Sequence, residues 1–384
     1  MASDKPETIA VSAGRMTKQH FGVINTPVYR ASTIVHDDVA TLLSGKADYV
    51  YGRRGTPTTR SFEEAISALE GAAYTASLPS GLNAIVTAIL SVCGAGDHLL
   101  MVDSCYDPAR HLCETMLKQL GVETSYYDPL AGAEIARDFR ANTKAIYCES
   151  PGSLTFEIQD IPAIAAAAHA GGFSVLMDNT WGTPIHFQPL KHGVDLSIQA
   201  ATKYIGGHAD VMIGYISANE SHAKRLGDAV GNLGLCASGD DCFLALRGVR
   251  TLPVRLKRHE QSAMILARWM AGRPEVSRVL YPALESDPGH AIWKRDFSGA
   301  CGLFGVVLKA VSEKKLTALI EGMRHFAIGY SWGGYESLII PATFKRSVRK
   351  FEAEGPVIRL HAGLEDVEDL IADLEAGFAR MAAS

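Results

Sequence analysis

Two stretches of this sequence decide the fold, FSVLMD at residues 173–178 and VDLSIQAATKY at residues 194–204. Each contains a short apolar run that is typical of a buried strand. The first run ends at Asp178, and the second leads into Lys203. In open sheets of parallel strands, ligands bind beyond the carboxyl ends of the strands. We therefore expect Asp178 and Lys203 to lie at one edge of a buried sheet.

A lysine and an aspartate in these positions are what a pyridoxal phosphate site requires. The lysine forms a Schiff base with the cofactor aldehyde, and the aspartate keeps the pyridine nitrogen protonated. The alternatives are a surface lysine and a capping or turn aspartate. The apolar residues before Lys203 and Gly206-Gly207 after it favour a desolvated amine, which has a lowered pKa and is nucleophilic.

Composition excludes several classes of protein. The 384 residues are 47% apolar and 21% charged, with a net charge of −5, so neither a basic nucleic-acid footprint nor a polybasic membrane patch is expected. No apolar run reaches the length of a membrane span, and the polar N-terminus has no signal-peptide core. Seven cysteines without a C-x-x-C pair, and histidines without a ligand spacing, predict a cytoplasmic protein with no metal site.

Strand and helix patterns alternate from about residue 73 to residue 199, which predicts an α/β fold with a mostly parallel sheet covered on both faces. Before this region, Ser61 and Glu64 predict a capping box for a helix that ends at Gly71. We divide the chain into an N-terminal arm (1–55), a cofactor-binding domain (56–245) and a smaller C-terminal α+β domain (246–384).

A phosphate site is predicted where Ser80-Gly81-Leu82 opens a helix directly after a strand. A glycine lets an anion approach the backbone, and the free N–H groups and the helix dipole attract it. By itself this motif is more often a structural turn. A second candidate is Tyr51-Gly52-Arg53, which can bring a phenol and a guanidinium to one phosphate or form a solvated turn.

Two further residues are candidates for contacts with a cofactor or a substrate. Tyr106 follows a predicted strand and can stack on a planar ring, although the core or the rim is the more common place for such a residue. Arg359 is a lone arginine in an apolar strand, so it requires an anion, either a substrate carboxylate or a structural acid. The segment 330–336 is aromatic and glycine-rich, and it suits either a binding wall or a packed turn.

Together these residues resemble the Cys/Met-metabolism enzymes that use pyridoxal phosphate. The resemblance covers nearly the whole chain and is most specific at residues 51–58, 149–153, 177–181, 197–204, 330–338 and 359–376. It implies the type I fold of the pyridoxal phosphate-dependent transferases, the fold of aspartate aminotransferase. The Ala200-Ala201-Thr202-Lys203 form of the lysine motif and Trp332 are similar to the β-lyase branch of the family.

The resemblance also implies roles for individual residues. Lys203 would be the Schiff-base lysine, Asp178 the partner of the pyridine nitrogen, and Tyr106 the stacking ring. The phosphate would be bound by Gly81, Leu82 and Thr202, and by Tyr51 and Arg53 of a neighbouring subunit. The substrate would be bound by Arg359, Ser331, Trp332 and Tyr51, with Lys203, Tyr106 and Tyr51 as candidates for proton transfer.

The implied reaction is β-elimination of L-cystathionine to homocysteine, pyruvate and ammonia, a step of methionine biosynthesis, in a homotetramer whose subunits share active sites. A broader cysteine-S-conjugate lyase, a γ-lyase or γ-synthase, and a non-catalytic module are the alternatives. Two positions depart from the family pattern: Gly231 stands where a tyrosine is expected and His111 where an acidic residue is expected. Both concern the far end of the substrate.

Overall fold

The computed structural model describes residues 4–384 and contains two sheets. The larger sheet has seven strands in the order β1-β7-β6-β5-β4-β2-β3. Strands β2 to β6 pair in parallel, and β7 runs antiparallel to both of its neighbours. Its strands are β1 (Tyr74–Leu78), β2 (His98–Val102), β3 (Glu123–Tyr127), β4 (Thr143–Glu149), β5 (Ser174–Asp178), β6 (Leu196–Gln199) and β7 (Gly214–Ala218).

Helices cover this sheet, and the crossovers between its parallel strands bring several strand ends to one edge. All five residues of β2 are buried, as expected for a strand that is covered on both faces. The helices up to the C-terminal region are α1 (Pro6–Ser12), α2 (Val39–Ser44), α3 (Pro57–Glu70), α4 (Gly81–Val92), α5 (Asp107–Leu112), α6 (Ile161–Ala170), α7 (Thr183–His186), α8 (Glu220–Leu233) and α9 (Gly239–Ala271).

The smaller sheet is antiparallel, in the order β10-β11-β9-β8. The 33-residue helix α9 connects the two sheets and runs through residue 245, where the sequence predicts a domain boundary. None of the helices in residues 4–384 is long and apolar enough to cross a membrane. The remaining elements are β8 (Val276–Leu280), α10 (His290–Asp296), β9 (Leu303–Leu308), α11 (Glu313–Ile320), β10 (Leu338–Ala342), β11 (Val357–His361) and α12 (Val367–Ala383).

The predicted start of α3 is wrong. The helix begins one turn earlier than Ser61, with Thr56 as its N-cap and Pro57 in its first turn. Thr56 and Thr59 form a reciprocal capping box, because the side chain of each accepts a hydrogen bond from the backbone N–H of the other. Proline is favoured in the first turn because it has no N–H to leave unpaired. The predicted end is confirmed, since Gly71 takes a left-handed conformation (φ 68°).

A loop of the C-terminal region, residues 345–349, is anchored on Asp103, which directly follows β2. The buried Asp103 carboxylate accepts hydrogen bonds from the backbone N–H groups of Ser347, Val348 and Arg349, at 2.8–3.2 Å. It also pairs with the buried Arg110 guanidinium at 2.7 Å. Burial alone would raise the pKa of Asp103, but these donors outweigh it and lower the pKa. One carboxylate thus connects the large sheet to the C-terminal region.

Replacing Asp103 should open this loop. Asp103→Ala leaves the three amides and the Arg110 charge without their shared acceptor, a loss of about 3–5 kcal/mol for a broken buried pair. We expect much faster hydrogen exchange of the amides of residues 347–349, measured by mass spectrometry. The matched control is Asp128→Ala, which removes the partly exposed partner of Arg349 on the same loop and should change exchange little. Equal exchange in both variants would contradict the anchoring role of Asp103.

Candidate active site

Asp178 and Lys203 lie at the edge of the sheet that the sequence predicts. Asp178 is the last residue of β5, and Lys203 lies in a turn after β6, the strand paired with β5. Asp178 is buried and Lys203 is partly buried. No ion pair joins them within residues 4–384, but each charge acts on the pKa of the other.

The Lys203 amine is desolvated and points toward the C-terminal region. Its pKa is lowered to about 8, because burial and the Arg359 charge lower it more than the Asp178 charge raises it. Its Nζ donates to the Ser331 hydroxyl at 2.7 Å and lies 5.5 Å from the centre of the Trp332 ring. The protonated form of this amine therefore still predominates at neutral pH, but the unprotonated fraction is far larger than in an ordinary lysine.

The surroundings of the Asp178 carboxylate do not fully compensate its negative charge. Burial raises its pKa, while the Thr180 N–H, at 2.8 Å from Oδ1, and the Lys203 charge lower it. A protonated pyridine nitrogen at this carboxylate would favour its ionised form.

The N-terminus of α4 packs directly against the Lys203 turn. A Cβ on Gly81 would lie 2.5 Å from the Ala200 Cβ, so only glycine permits this contact. Ser80 caps the helix through Asn83, and the first amides of α4, including that of the exposed Leu82, have no partner within the helix. The Thr202 hydroxyl bonds to the backbone of Ile213. The structure thus brings the predicted phosphate loop next to Lys203.

Arg359, in β11, is a buried cation without an acidic partner in the described chain. It is 7% exposed, and its Nη2 donates to the Ser331 carbonyl at 2.8 Å. Its buried Nε has no hydrogen-bond partner within residues 4–384, and burial lowers its pKa to about 10. A guanidinium with a free donor beside Lys203 suits a small anion such as a carboxylate. No Asp or Glu side chain pairs with Arg359 within residues 4–384, so the described chain does not supply the alternative partner, a structural acid.

Tyr106 lies on the same edge and is 44% exposed. Burial raises its pKa, and the charges of Glu149, Asp178 and Arg359 all act on its phenol. Its backbone N–H donates to the Glu149 carboxylate at 2.8 Å. Glu149 pairs in register with Asp178, and burial and that charge raise its pKa well above the usual range.

Sequence reasoning assigned no role to Glu149 or Arg255. Glu149 carried a usable signal, because it ends the strand next to the one that ends at Asp178. Arg255 did not, because it is one of several arginines on the long helix α9. In the fold its buried guanidinium donates to the Tyr204 carbonyl at 2.7 Å and thereby holds the turn that carries Lys203.

Tyr51 and Arg53 are not brought to this site within one chain. Arg53 donates to the Gly231 carbonyl at 3.3 Å, and Tyr51 is 45% exposed in the N-terminal region. No hydrogen bond within residues 4–384 links either side chain to Lys203 or Asp178. The guanidinium of the adjacent Arg54 lies against Gly231, 3.0 Å from where a Cβ would be.

These residues fit pyridoxal phosphate. The glycine contact at α4 leaves helix amides free for a phosphate, Asp178 offers a buried carboxylate to a ring nitrogen, and Lys203 offers a desolvated amine to an aldehyde. The three features come from separate elements that meet at one sheet edge, as the chemistry of this cofactor requires.

Comparison with known proteins identifies the family. The family described as "Cys/Met metabolism PLP-dependent enzyme" matches residues 7–379. A putative cystathionine beta-lyase of Rhizobium johnstonii is 52% identical, with coverage of 95% of this chain and 93% of its own. The cystathionine beta-lyase MetC of Escherichia coli is 42% identical, with coverage of 99% and 100%.

A solved structure supports the same family and fold. The cystathionine gamma synthase of Xanthomonas oryzae pv. oryzae, in complex with aminoacrylate and cysteine, superposes with a TM-score of 0.91 at 30% identity over 100% of both chains. The predicted type I fold and the predicted cofactor, pyridoxal phosphate, are confirmed, and the protein is an enzyme of the lyase type. The chain belongs to the Cys/Met metabolism family of pyridoxal phosphate-dependent enzymes.

Proposed function

We propose that this enzyme cleaves L-cystathionine by β-elimination to homocysteine, pyruvate and ammonia. The observation that carries the proposal is the position of the desolvated Lys203 amine beside Ser331, whose carbonyl is held by Arg359. An amino acid with its carboxylate on Arg359 would present its Cα close to this amine. The relatives named as cystathionine beta-lyases support this choice of reaction.

Arg359 and Ser331 would bind the α-carboxylate of the substrate. The free Nε of Arg359 can donate to one carboxylate oxygen, and a charge-assisted bond to a buried guanidinium is strong. Trp332, next to Ser331, would form a wall that limits water near the Lys203 amine. These contacts would orient the Cα–H bond toward Lys203.

Other residues would hold the cofactor. Gly81, Leu82 and Thr202 would bind its phosphate, Asp178 would hold the proton on its ring nitrogen, and Tyr106 would stack on the ring. When bound, pyridoxal phosphate supplies an aldehyde that joins the substrate amine and a ring system that accepts electrons from Cα.

Lys203 would act as the base at Cα. Its unprotonated Nζ takes the Cα proton, and the bond from Cβ to sulfur then breaks with departure of a thiolate. The proton that the thiolate needs would come from Lys203 or from a phenol, that of Tyr106 or that of Tyr51 from a neighbouring subunit. The remaining three-carbon fragment would be released and hydrolysed by one water molecule to pyruvate and ammonia.

The γ-elimination and γ-replacement reactions are the nearest alternatives, since a solved structure named as a cystathionine gamma synthase has the same fold. The keto acid distinguishes the reactions, because β-elimination of cystathionine gives pyruvate and γ-elimination gives 2-oxobutyrate. A broader cysteine-S-conjugate lyase would also give pyruvate, but from many thioethers. The non-catalytic alternative no longer applies, since the protein is an enzyme.

We also propose that subunits share their sites within a homotetramer. Tyr51 and Arg53 make no hydrogen bond to Lys203 or Asp178 within residues 4–384, and a second copy would supply them to the site. Several apolar side chains of the N-terminal region are exposed, among them Phe21 (103%), Val35 (89%) and Leu43 (79%). Such an apolar surface is typical of a subunit interface.

Removing the amine should abolish turnover. Lys203→Ala eliminates the base at Cα and the group that joins the cofactor, so we expect a loss of at least about 10³-fold in kcat. Incubation of the wild-type enzyme with cystathionine should give pyruvate and homocysteine, identified by mass spectrometry. Lys191→Ala, at a lysine on the 3-10 turn before β6, is the control and should retain activity. Formation of 2-oxobutyrate would contradict β-elimination.

The rate should depend on pH through the Lys203 amine. Only the unprotonated amine accepts the Cα proton, and its pKa is about 8. We therefore expect kcat to be low below pH 8 and to increase as the pH rises through about 8. Pyruvate release at saturating substrate measures this dependence. A kcat that is constant between pH 6.5 and 9.5 would argue against Lys203 as the base in a rate-limiting step.

Shared sites predict complementation between two inactive variants. A mixed dimer of Lys203→Ala and Arg53→Ala subunits contains one site with both residues intact and one with neither. Random reassembly of equal amounts should restore about a quarter of the sites, since half of the dimers are mixed. Activity after co-refolding measures this recovery, with each variant refolded alone as the control. No recovery in verified mixed dimers would refute the sharing of Arg53.

A further inference from the structure

Two buried histidines, His259 in α9 and His361 in β11, lie behind the loop that contacts Lys203. Both are 0% exposed, and their ring centres are 5.2 Å apart. The ring of Tyr204, the residue after Lys203, packs against both, at 5.3 and 5.8 Å. Burial lowers the pKa of His259 to about 4 and that of His361 well below its usual value, so both rings are neutral at neutral pH.

The hydrogen bond of His259 determines its tautomer. Its Nδ1 lies 2.8 Å from the Ala362 carbonyl oxygen, which can only accept a hydrogen bond. Nδ1 therefore carries the proton, and Nε2 of the neutral ring is an acceptor. That buried Nε2 has no partner within residues 4–384.

The contacts of His361 leave two possible tautomers. Its Nε2 lies 3.1 Å from the Gly333 nitrogen and 3.2 Å from the Gly334 carbonyl oxygen, and one nitrogen of a neutral ring cannot both accept and donate. If Nε2 accepts from Gly333, Nδ1 carries a proton, and this buried Nδ1 also lacks a partner in the described chain.

The groups left unpaired decide between the tautomers. With the proton on Nδ1, the Gly334 carbonyl loses its donor, and the unpaired donor of His361 stands in the same ring pair as the unpaired acceptor of His259. With the proton on Nε2, the Gly333 N–H loses its acceptor instead, and two unpaired acceptors remain in the pair. Unpaired buried N–H groups are rarer than unpaired carbonyls, and only the first arrangement puts a donor beside an acceptor in the pair, so the first arrangement is favoured.

Gly333 connects this histidine pair to the active site, because it contacts both His361 and the backbone of Lys203. A Cβ at Gly333 (φ 84°) would lie 2.7 Å from the Tyr204 nitrogen and 3.1 Å from the Lys203 Cα, so the loop rests directly on the Lys203 backbone. Two residues earlier, Ser331 (φ 77°) accepts from Lys203 and from Arg359. A shift of Gly333 would therefore displace the contact between Ser331 and Lys203.

We propose that His361 and His259 are positioning residues for the active site. A water molecule that accepts from Nδ1–H of His361 and donates to Nε2 of His259 orients His361 so that its Nε2 holds the Gly333 N–H. The pair thereby fixes residues 331–334 against Lys203 and Arg359. The inference rests on the proposed function only in that this site binds the α-carboxylate of an amino acid.

Ligand binding tests the positioning role. L-Alanine carries the α-carboxylate but no leaving group, and its Kd can be measured from the visible absorbance of the bound cofactor. His361→Phe keeps a ring but loses the acceptor for Gly333, and we expect Kd for L-alanine and KM for cystathionine to rise about tenfold, with a smaller change in kcat. In His361→Gln an amide oxygen can still accept from Gly333, so both constants should stay within about threefold of wild type.

The control replaces another buried histidine. His98 bonds to Thr143 and Ser125 at the start of β2, the opposite end of that strand from the candidate site. His98→Phe should lower the melting temperature without changing Kd for L-alanine. Unchanged Kd and KM in His361→Phe, or an equal rise in His98→Phe, would overturn the proposal.

The tautomers can be observed without any reaction. In the holoenzyme labelled with ¹⁵N-histidine, solid-state NMR should show Nδ1 protonated and Nε2 unprotonated for both residues, with His361→Phe and His259→Phe providing the assignments. A proton on Nε2 of His361, or a charged ring at neutral pH, would overturn the proposal. Because neither this measurement nor alanine binding depends on β-elimination, failure of the proposed reaction would be seen separately.

Discussion

The active site depends on buried charges that the protein leaves without ionic partners. Lys203 and Arg359 form no ion pair within residues 4–384, and Asp178 is held by a backbone N–H. Desolvating such groups is costly unless other charges compensate. Here the compensating charges would come from the cofactor and the substrate, so the folded chain is prepared for two ligands. The lowered pKa of Lys203 follows from the same burial.

The need for these compensating charges explains why both parts of the molecule meet at one edge of the large sheet. The large sheet supplies Asp178 and the Lys203 turn, and the C-terminal region supplies Arg359 and Ser331. Hydrogen bonds fasten the two parts to each other. The Asp103 carboxylate holds residues 347–349, and the Trp181 indole donates to the Leu303 carbonyl at 3.0 Å. Small movements between the parts would change the position of Arg359 relative to Lys203.

Much of the large sheet was predictable, because buried parallel strands are short apolar runs that end at conspicuous polar residues. The strand β7 was not predicted, since its sequence does not reveal that it runs antiparallel between β1 and β6. The start of α3 was predicted wrongly because two capping patterns lie close together, one at Ser61 and one at Thr56. The helix begins at the second pattern, which includes Pro57. The roles assigned to individual site residues and the domain boundaries stay predictions.

The sequence by itself determined the residue types of the site and their order along the chain, because the roles proposed for Lys203, Asp178 and Gly81 each need a particular local motif. Only the tertiary structure decided which of them meet. It placed Gly81 against Ala200 and Ser331 on Lys203, left Tyr51 and Arg53 apart from them, and paired His259 with His361. Contacts between distant residues depend on the packing of whole elements, which local sequence patterns do not contain.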